Sequence, residues 1–199
     1  LEYRFGEGHS PQHLAAAKQT AETALHLQPD REEAHVALAQ YYYHGFKDYR
    51  RAEQELVGSS GPHAAEFYIL ASLVERRLGQ FAHSIRDGEK AIALDPQNVS
   101  LAVSLVQTYS GLRRFADAER VLNDAFARLH GAKPIGLVRV QSEAALGMGN
   151  LEQAKALLES IENKDDVDYQ SARLWLALFE RDFEGAKRVA ARMPNQSKA

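Results

Sequence analysis

Apolar residues recur along this chain at helical spacing, and no stretch of four to eight residues alternates like a half-buried strand. Segment 31–44 (REEAHVALAQYYYH) puts Ala34, Ala37, Leu38, Tyr41 and Tyr42 on one face, and segment 48–58 repeats the pattern with Tyr49, Ala52, Leu56 and Val57. Each predicts a helix. Another is expected over 63–78. A further one over 172–179 is apolar nearly all round, with Leu174, Leu176, Leu178 and Phe179 beside Trp175. Such a helix is buried on both sides, so Trp175 is expected in the core between hairpins; the other reading is a self-association surface. In the run Tyr41-Tyr42-Tyr43, Tyr42 is expected in the core and Tyr43 on the opposite, open face.

Helix starts and stops fall between these segments. Ser10-Pro11 offers an N-cap followed by proline at the first helical position. Pro29-Asp30 and Pro96-Gln97-Asn98 end one helix and cap the next, and Asp30 with Glu33 resembles a capping box. Gly61-Pro62 breaks the chain before 63. Such short connections force neighbouring helices antiparallel.

One local pattern then repeats: an aromatic residue or Leu, two residues, a small residue, and an apolar stretch. The small residues are Ala17, Ala52, Ser84, Ala118, Ala154 and Ala186, spaced by 35, 32, 34, 36 and 32 residues. A period near 34 residues marks a repeat of helical hairpins. The expected organisation is a single repeat domain over 1–199, with a partial hairpin at 1–29 and hairpins at about 30–60, 61–96, 97–132, 133–164 and 165–194. The hairpin after Pro29 carries one extra residue in its turn, His44-Gly45-Phe46-Lys47-Asp48, and Gln141 and Arg173 stand where a core Leu is expected.

These residues resemble the tetratricopeptide repeat family. The third unit carries Ser72, Gly79, Phe81, Ser84, Ala91 and Pro96. An earlier one carries Leu38, Ala39, Tyr42, Tyr49 and Ala52, and a later one Leu105, Tyr109, Phe115, Ala118, Leu122 and Ala125. Segments 21–29 (AETALHLQP) and 89–96 (EKAIALDP) look like typical repeat endings. The resemblance implies an all-α fold, a right-handed superhelical solenoid of antiparallel helical hairpins. It also implies a protein-binding role, with the first helix of each hairpin lining a groove for a segment of a protein or peptide partner. The stretch His35–Leu56 is also similar to repeat regions attached to bacterial signalling proteins, so the alternative is a regulatory or self-association segment of a larger protein.

Composition narrows the classes. The chain has 199 residues, a net charge of -3 and no cysteine. No strong field favours nucleic acid, and disulfides and thiolate chemistry are excluded. No apolar run approaches a membrane span of about 18 residues, so membrane insertion is not expected, and the cytoplasm is slightly favoured as the compartment. His9 and His13 have ligand spacing, but Ser10-Pro11 starts a helix between them and no third ligand follows, so no metal is expected. Gly147-Met148-Gly149-Asn150 follows a helix rather than a strand and reads as a turn, not a phosphate loop. No catalytic constellation occurs, so neither enzymatic activity nor a cofactor is expected. Both ends lack an evident polar cap, so either a homo-oligomer through an uncapped end or a flanking helix in a longer parent protein is expected.

The resemblance places candidate groove residues by register. They are Glu33, Gln40 and Tyr43 in the first complete hairpin, then Glu66, Ile69, Leu73 and Arg76, then Ser100, Val103 and Gln107, then Arg139 and Glu143. Tyr43 and Arg76 are the expected anchors. Some repeats of this family hold a partner's terminal carboxylate with Lys and Asn. Here Val36 and Gln40 occupy those places, with Leu70 in the next unit, so an internal segment is the expected ligand.

Overall fold

The computed structural model describes residues 11–59, 64–130 and 132–193, and for 11–14 the backbone alone. Among them are eleven α-helices and no strand. Two compact units emerge, divided between Leu94 and Asp95.

In the first unit, α1 (Pro11–Leu27) packs against α2 (Glu32–Gln40). A π-helical turn, Tyr41–Phe46, extends α2, and α3 (Tyr49–Gly58) folds back on it. Helices α4 (Ala65–Arg77) and α5 (Phe81–Leu94) form the next hairpin, and α4 rests on both α2 and α3. The second unit repeats the plan with α6 (Val99–Gly111) and α7 (Phe115–Arg128), α8 (Ile135–Gly147) and α9 (Leu151–Glu159), and α10 (Val167–Phe179) and α11 (Phe183–Ala190). Each pair is an antiparallel hairpin, and α8 lies between α6 and α10.

Small residues set how closely the two helices of a hairpin cross. At the α4–α5 crossing, Ser72 Oγ donates to the Ser84 carbonyl at 2.7 Å and Ser84 Oγ donates to the Ser72 carbonyl at 2.8 Å. These buried hydroxyls satisfy themselves on the facing backbone. Val106 and Ala118, twelve residues apart in the same register, are fully buried at the α6–α7 crossing. Ser142 Oγ reaches the Ala154 carbonyl at 3.3 Å across α8–α9. The α2–α3 crossing uses Ala39 and Ala52, both fully buried but thirteen residues apart. The extra residue expected in the turn is therefore absorbed inside the helix as the π turn, the usual fate of a single insertion in a helix.

The turns carry the same signature. After α4, Gln80 N donates to Glu75 O at 2.8 Å, and Arg114, Asn150 and Asp182 make the same five-residue bond after α6, α8 and α10. After α2 the bond is one residue longer, from Asp48 N to Tyr42 O. The residue that closes each turn is left-handed: Gly79 and Gly149, but also Lys47, Arg113 and Arg181. Side chains then cap the second helix. Asp48, Asn150 and Asp182 accept from backbone amides of α3, α9 and α11.

Three expectations change. The N-cap of α2 is Arg31 without a side-chain cap bond, so the Asp30–Glu33 capping box does not form; Glu33 Oε2 lies 3.4 Å from Arg31 Nε instead. The helix expected from 63 starts at Ala65. Trp175 is half exposed, at 50%, rather than core. Its neighbours Ala172, Leu176 and Ala177 take the buried face of α10 and leave Trp175, Leu178 and Phe179 outside. Ser10 and His9, and the first segment Leu1–Gly8, lie outside the described residues.

Candidate functional site

The first helices α2, α4, α6 and α8, with the π turn after α2, carry the candidate residues, and each unit has its own such face. In the first unit, Gln40 Nε2 of α2 donates to Glu66 Oε1 of α4 at 3.0 Å, which brings two of the candidates together. Glu33 and Glu66 are exposed, while Ile69, Leu73 and Arg76 are half-buried. Leu73 leans on the core formed by Val36, Ala39, Leu70 and Val74.

Tyr43 departs from its expected place. It is buried, at 7% exposure, inside that same core, and Tyr42 packs against the core from outside. The π turn is the cause. Each residue of a π turn advances less around the helix axis than in an α-helix, so the position four after Ala39 comes round to the core face. Tyr43 is thus a core aromatic rather than a groove anchor. Its hydroxyl still reaches the basic end of α4, where Arg77 Nε donates to it at 3.4 Å. Burial pushes the Arg76 guanidinium below its ordinary value, and the Tyr43 hydroxyl partly restores it. Both arginines occupy the last turn of α4, where cations suit the helix dipole.

In the second unit, Ser100 is exposed and Val103 and Gln107 are half-buried. Arg139 and Glu143 pair with each other, Nη1 to Oε1, at 2.7 Å. Arg139 Nε also stands 2.9 Å from Asp168 Oδ1 of α10, an ionic approach rather than an aligned hydrogen bond. This triad ties α8 to α10, with the single Arg139 cation held by two carboxylates. A Cβ built on Gly136 would come 3.5 Å from Val103 and 3.4 Å from Asp168, so the three first helices approach closely at that level. Asp168 and Trp175 of α10 join the candidates here, although the register reading did not name them. The signal was present: the repeat steps that lead from Gln107 to Glu143 lead on to Trp175.

Among the described residues no group of three or more His, Asp or Glu could hold a metal ion, and no helix is long and apolar enough to cross a membrane. His13 contributes no described side chain. Gly147 to Asn150 form the α8–α9 turn, as expected.

The family model of the tetratricopeptide repeat protein 21 ARM repeat matches residues 64–178, more than half of the chain. The chain belongs to this tetratricopeptide-type repeat family. Solved structures resemble the repeat chain throughout. A tetratricopeptide repeat protein from Parabacteroides merdae aligns with a TM-score of 0.74 at 15% identity, over 93% of this chain and 74% of that one. YrrB, described as a TPR protein with an unusual peptide-binding site, aligns with a TM-score of 0.62 at 14% identity, over 86% and 84%. A chain of the Cut9–Hcn1 hetero-tetramer of the APC/C aligns with a TM-score of 0.69 at 12% identity. There the match covers 94% of this repeat chain but spans only 38% of the other's length. No curated protein sequence matches.

Proposed function

We propose that this repeat chain is a non-catalytic scaffold that holds an internal segment of a protein partner against the first helices of its hairpins, and that its hairpins act as one repeat domain. The observation that carries the reading lies in the second unit. Helices α6, α8 and α10 stand side by side and present Gln107, Glu143 and Trp175 at one register position. Trp175 is the only tryptophan of the chain and half exposed there. A large rigid aromatic side chain left half in water is the type of residue that dominates binding once a partner desolvates it. YrrB, a TPR protein of the same fold with an unusual peptide-binding site, supports the class of ligand.

On the same row of first helices the Arg139 cation is already held by two carboxylates, Glu143 and Asp168, which suits a segment with an apolar side chain and no surplus of acid. In the first unit Arg76 takes the anchor role. Its cation is partly desolvated already, so a partner carboxylate gains more there than at a fully hydrated lysine.

The test is a titration of a partner captured with the 199-residue chain as bait. Trp175→Ala and Arg76→Ala are each expected to weaken binding by about 1–2 kcal/mol with unchanged circular dichroism. Arg76→Ala should also flatten the salt dependence of affinity, since screening acts on a charge pair and not on an apolar contact. Unchanged affinity in both variants would place the binding surface on the second helices or at a hairpin end.

A further inference from the structure

The last hairpin has a cleft in the position that its own first helix fills one hairpin earlier. Helix α10 packs on both α8 and α9, and its Ala172 and Leu176 lie among Val138, Leu146, Leu158 and Ile161. The step from Ala154 to Ala186 is 32 residues, and it maps α8 and α9 onto α10 and α11. Leu146, 3% exposed beneath α10, maps to Leu178, which is 39% exposed. Leu151, packed against the same cluster, maps to Phe183, which is exposed. Between α10 and α11 lies a cleft of ≈ 370 Å³ whose floor includes Tyr169, Ala177 and Val189.

Its rim differs in charge from that of the covered hairpin. The same step maps Gln141 to Arg173, Ala156 to Arg188 and Ser160 to Arg192, so three uncharged positions become arginines, all lining the cleft. Lys164 joins them, its Nζ donating to the Leu158 and Glu159 carbonyls. Against these stand two lining carboxylates, Asp165 and Asp182, and Glu180, which lies 3.8 Å from Arg173, so four cations still face three carboxylates. Asp182 is engaged as the cap of α11, where its Oδ1 accepts from Gly185 N at 2.8 Å, and Arg188 only comes within 4.0 Å of its other oxygen. A helix laid into this cleft meets a narrow apolar strip, Ala177 and Val189 beside Tyr169, inside a polar rim with a surplus of cations. An apolar or basic helix would strip water from those cations without pairing them, which costs more than the contact returns.

We propose that the α10–α11 cleft docks an amphipathic helix of a partner protein whose apolar stripe is flanked by Glu or Asp. A second copy of this chain fits less well. An isologous contact sets the same patch against itself, and here that brings two arginine rims face to face. The cleft is a different surface from the first-helix faces above, and nothing in its derivation depends on them.

The experiment uses the full 199-residue chain and two labelled probe peptides of about 18 residues, long enough to hold a helix in water. One carries a Leu stripe flanked by Glu, the other the same stripe flanked by Lys. By fluorescence anisotropy the Glu peptide is expected to bind at least about tenfold more tightly than the Lys peptide, with a preference that shrinks as salt rises. The double variant Arg188→Glu, Arg192→Glu changes two exposed side chains, so its circular dichroism should match the parent, and it should lose or reverse the preference. Equal binding of the two peptides, or no binding of either, overturns the proposal. So does a dimer of the parent chain in sedimentation that the double variant abolishes, because a second copy would then be the occupant.

Discussion

The α2–α3 and α4–α5 hairpins of the first unit share a plan and differ by one residue. In α4–α5 the crossing residues are twelve apart and the two serines lock into each other's backbone. In α2–α3 they are thirteen apart, and two alanines meet with no polar side-chain atom between them. The crossing itself is preserved in both, because its close approach organises everything around it. The slack goes into the helix, as the π turn Tyr41–Phe46, and from there into the choice of which tyrosine is buried. An insertion in a repeat is thus absorbed where backbone geometry can change without opening the core, and the cost falls on surface identity downstream.

The largest expected effect tests that register. Tyr43→Ala should remove a buried ring and cost about 3–5 kcal/mol in urea denaturation, while Tyr42→Ala costs distinctly less. A larger loss at Tyr42 would mean that α2 runs on as an unbroken α-helix. Next, Ala52→Leu should overpack the stretched crossing by about 1–3 kcal/mol. Ala82→Leu, at an exposed position of α5, should stay within about 0.5 kcal/mol. Equal tolerance at both sites would show that the α2–α3 crossing is looser than drawn.

The turns offer a smaller contrast. Gly79 has φ +78° with open space where a Cβ would go, so Gly79→Ala should cost about 1–2 kcal/mol from backbone strain alone. Lys47 occupies the matching place in the stretched turn with φ 56°, and Lys47→Gly should move thermal stability the other way. The serine lock is expected to be worth about 1 kcal/mol for Ser72→Ala or Ser84→Ala alone. Each hydroxyl donates to a backbone carbonyl that the other substitution leaves in place, so neither single variant strands a donor and the double variant should lose about the sum of the two. A loss clearly different from the sum would mean that the 3.2 Å contact between the two hydroxyls couples them.

The last effect is one of pH and belongs to α4–α5 only. Burial, and then the neighbouring Asp87 carboxylate, push Glu75 up from 4.5 to about 7. Between those values the folded chain keeps a proton that the unfolded chain has released, so stability falls as pH rises through that window and stays lower above it. In α2–α3 the same distance past the crossing, three residues on, brings Tyr42 instead of a carboxyl. Urea midpoints of Glu75→Gln across that pH range should vary less than those of the parent; an unchanged slope would assign the titration to another group.

The fold was legible because its cause is periodic. A small residue every 34 or so positions reports a backbone crossing that tolerates nothing larger, and Ala52, Ala118 and Ala154 are all fully buried where the spacing puts them. Family membership follows from the same positions. The placement of the candidate residues was legible only where the period is unbroken. Gln40 and Glu66 do meet across α2 and α4, whereas Tyr43, one turn past Gln40, does not face outward, because the π turn changes the angle per residue that the reading assumed.

The chain's own sequence determined the helices, their antiparallel pairing, the turns and the crossing residues, since each depends on a few neighbours along the chain and on side-chain size. Tertiary structure alone decided which aromatic is core and which is surface. Tyr43 went in and Trp175 stayed out, although both sit in apolar helical runs. It also decided that Arg139 is already matched by Glu143 and Asp168, and that the α10–α11 cleft is lined with arginines. These depend on what lies across the helix from a residue rather than beside it in sequence. A helical period says which face a side chain shares, and only packing says whether anything covers that face.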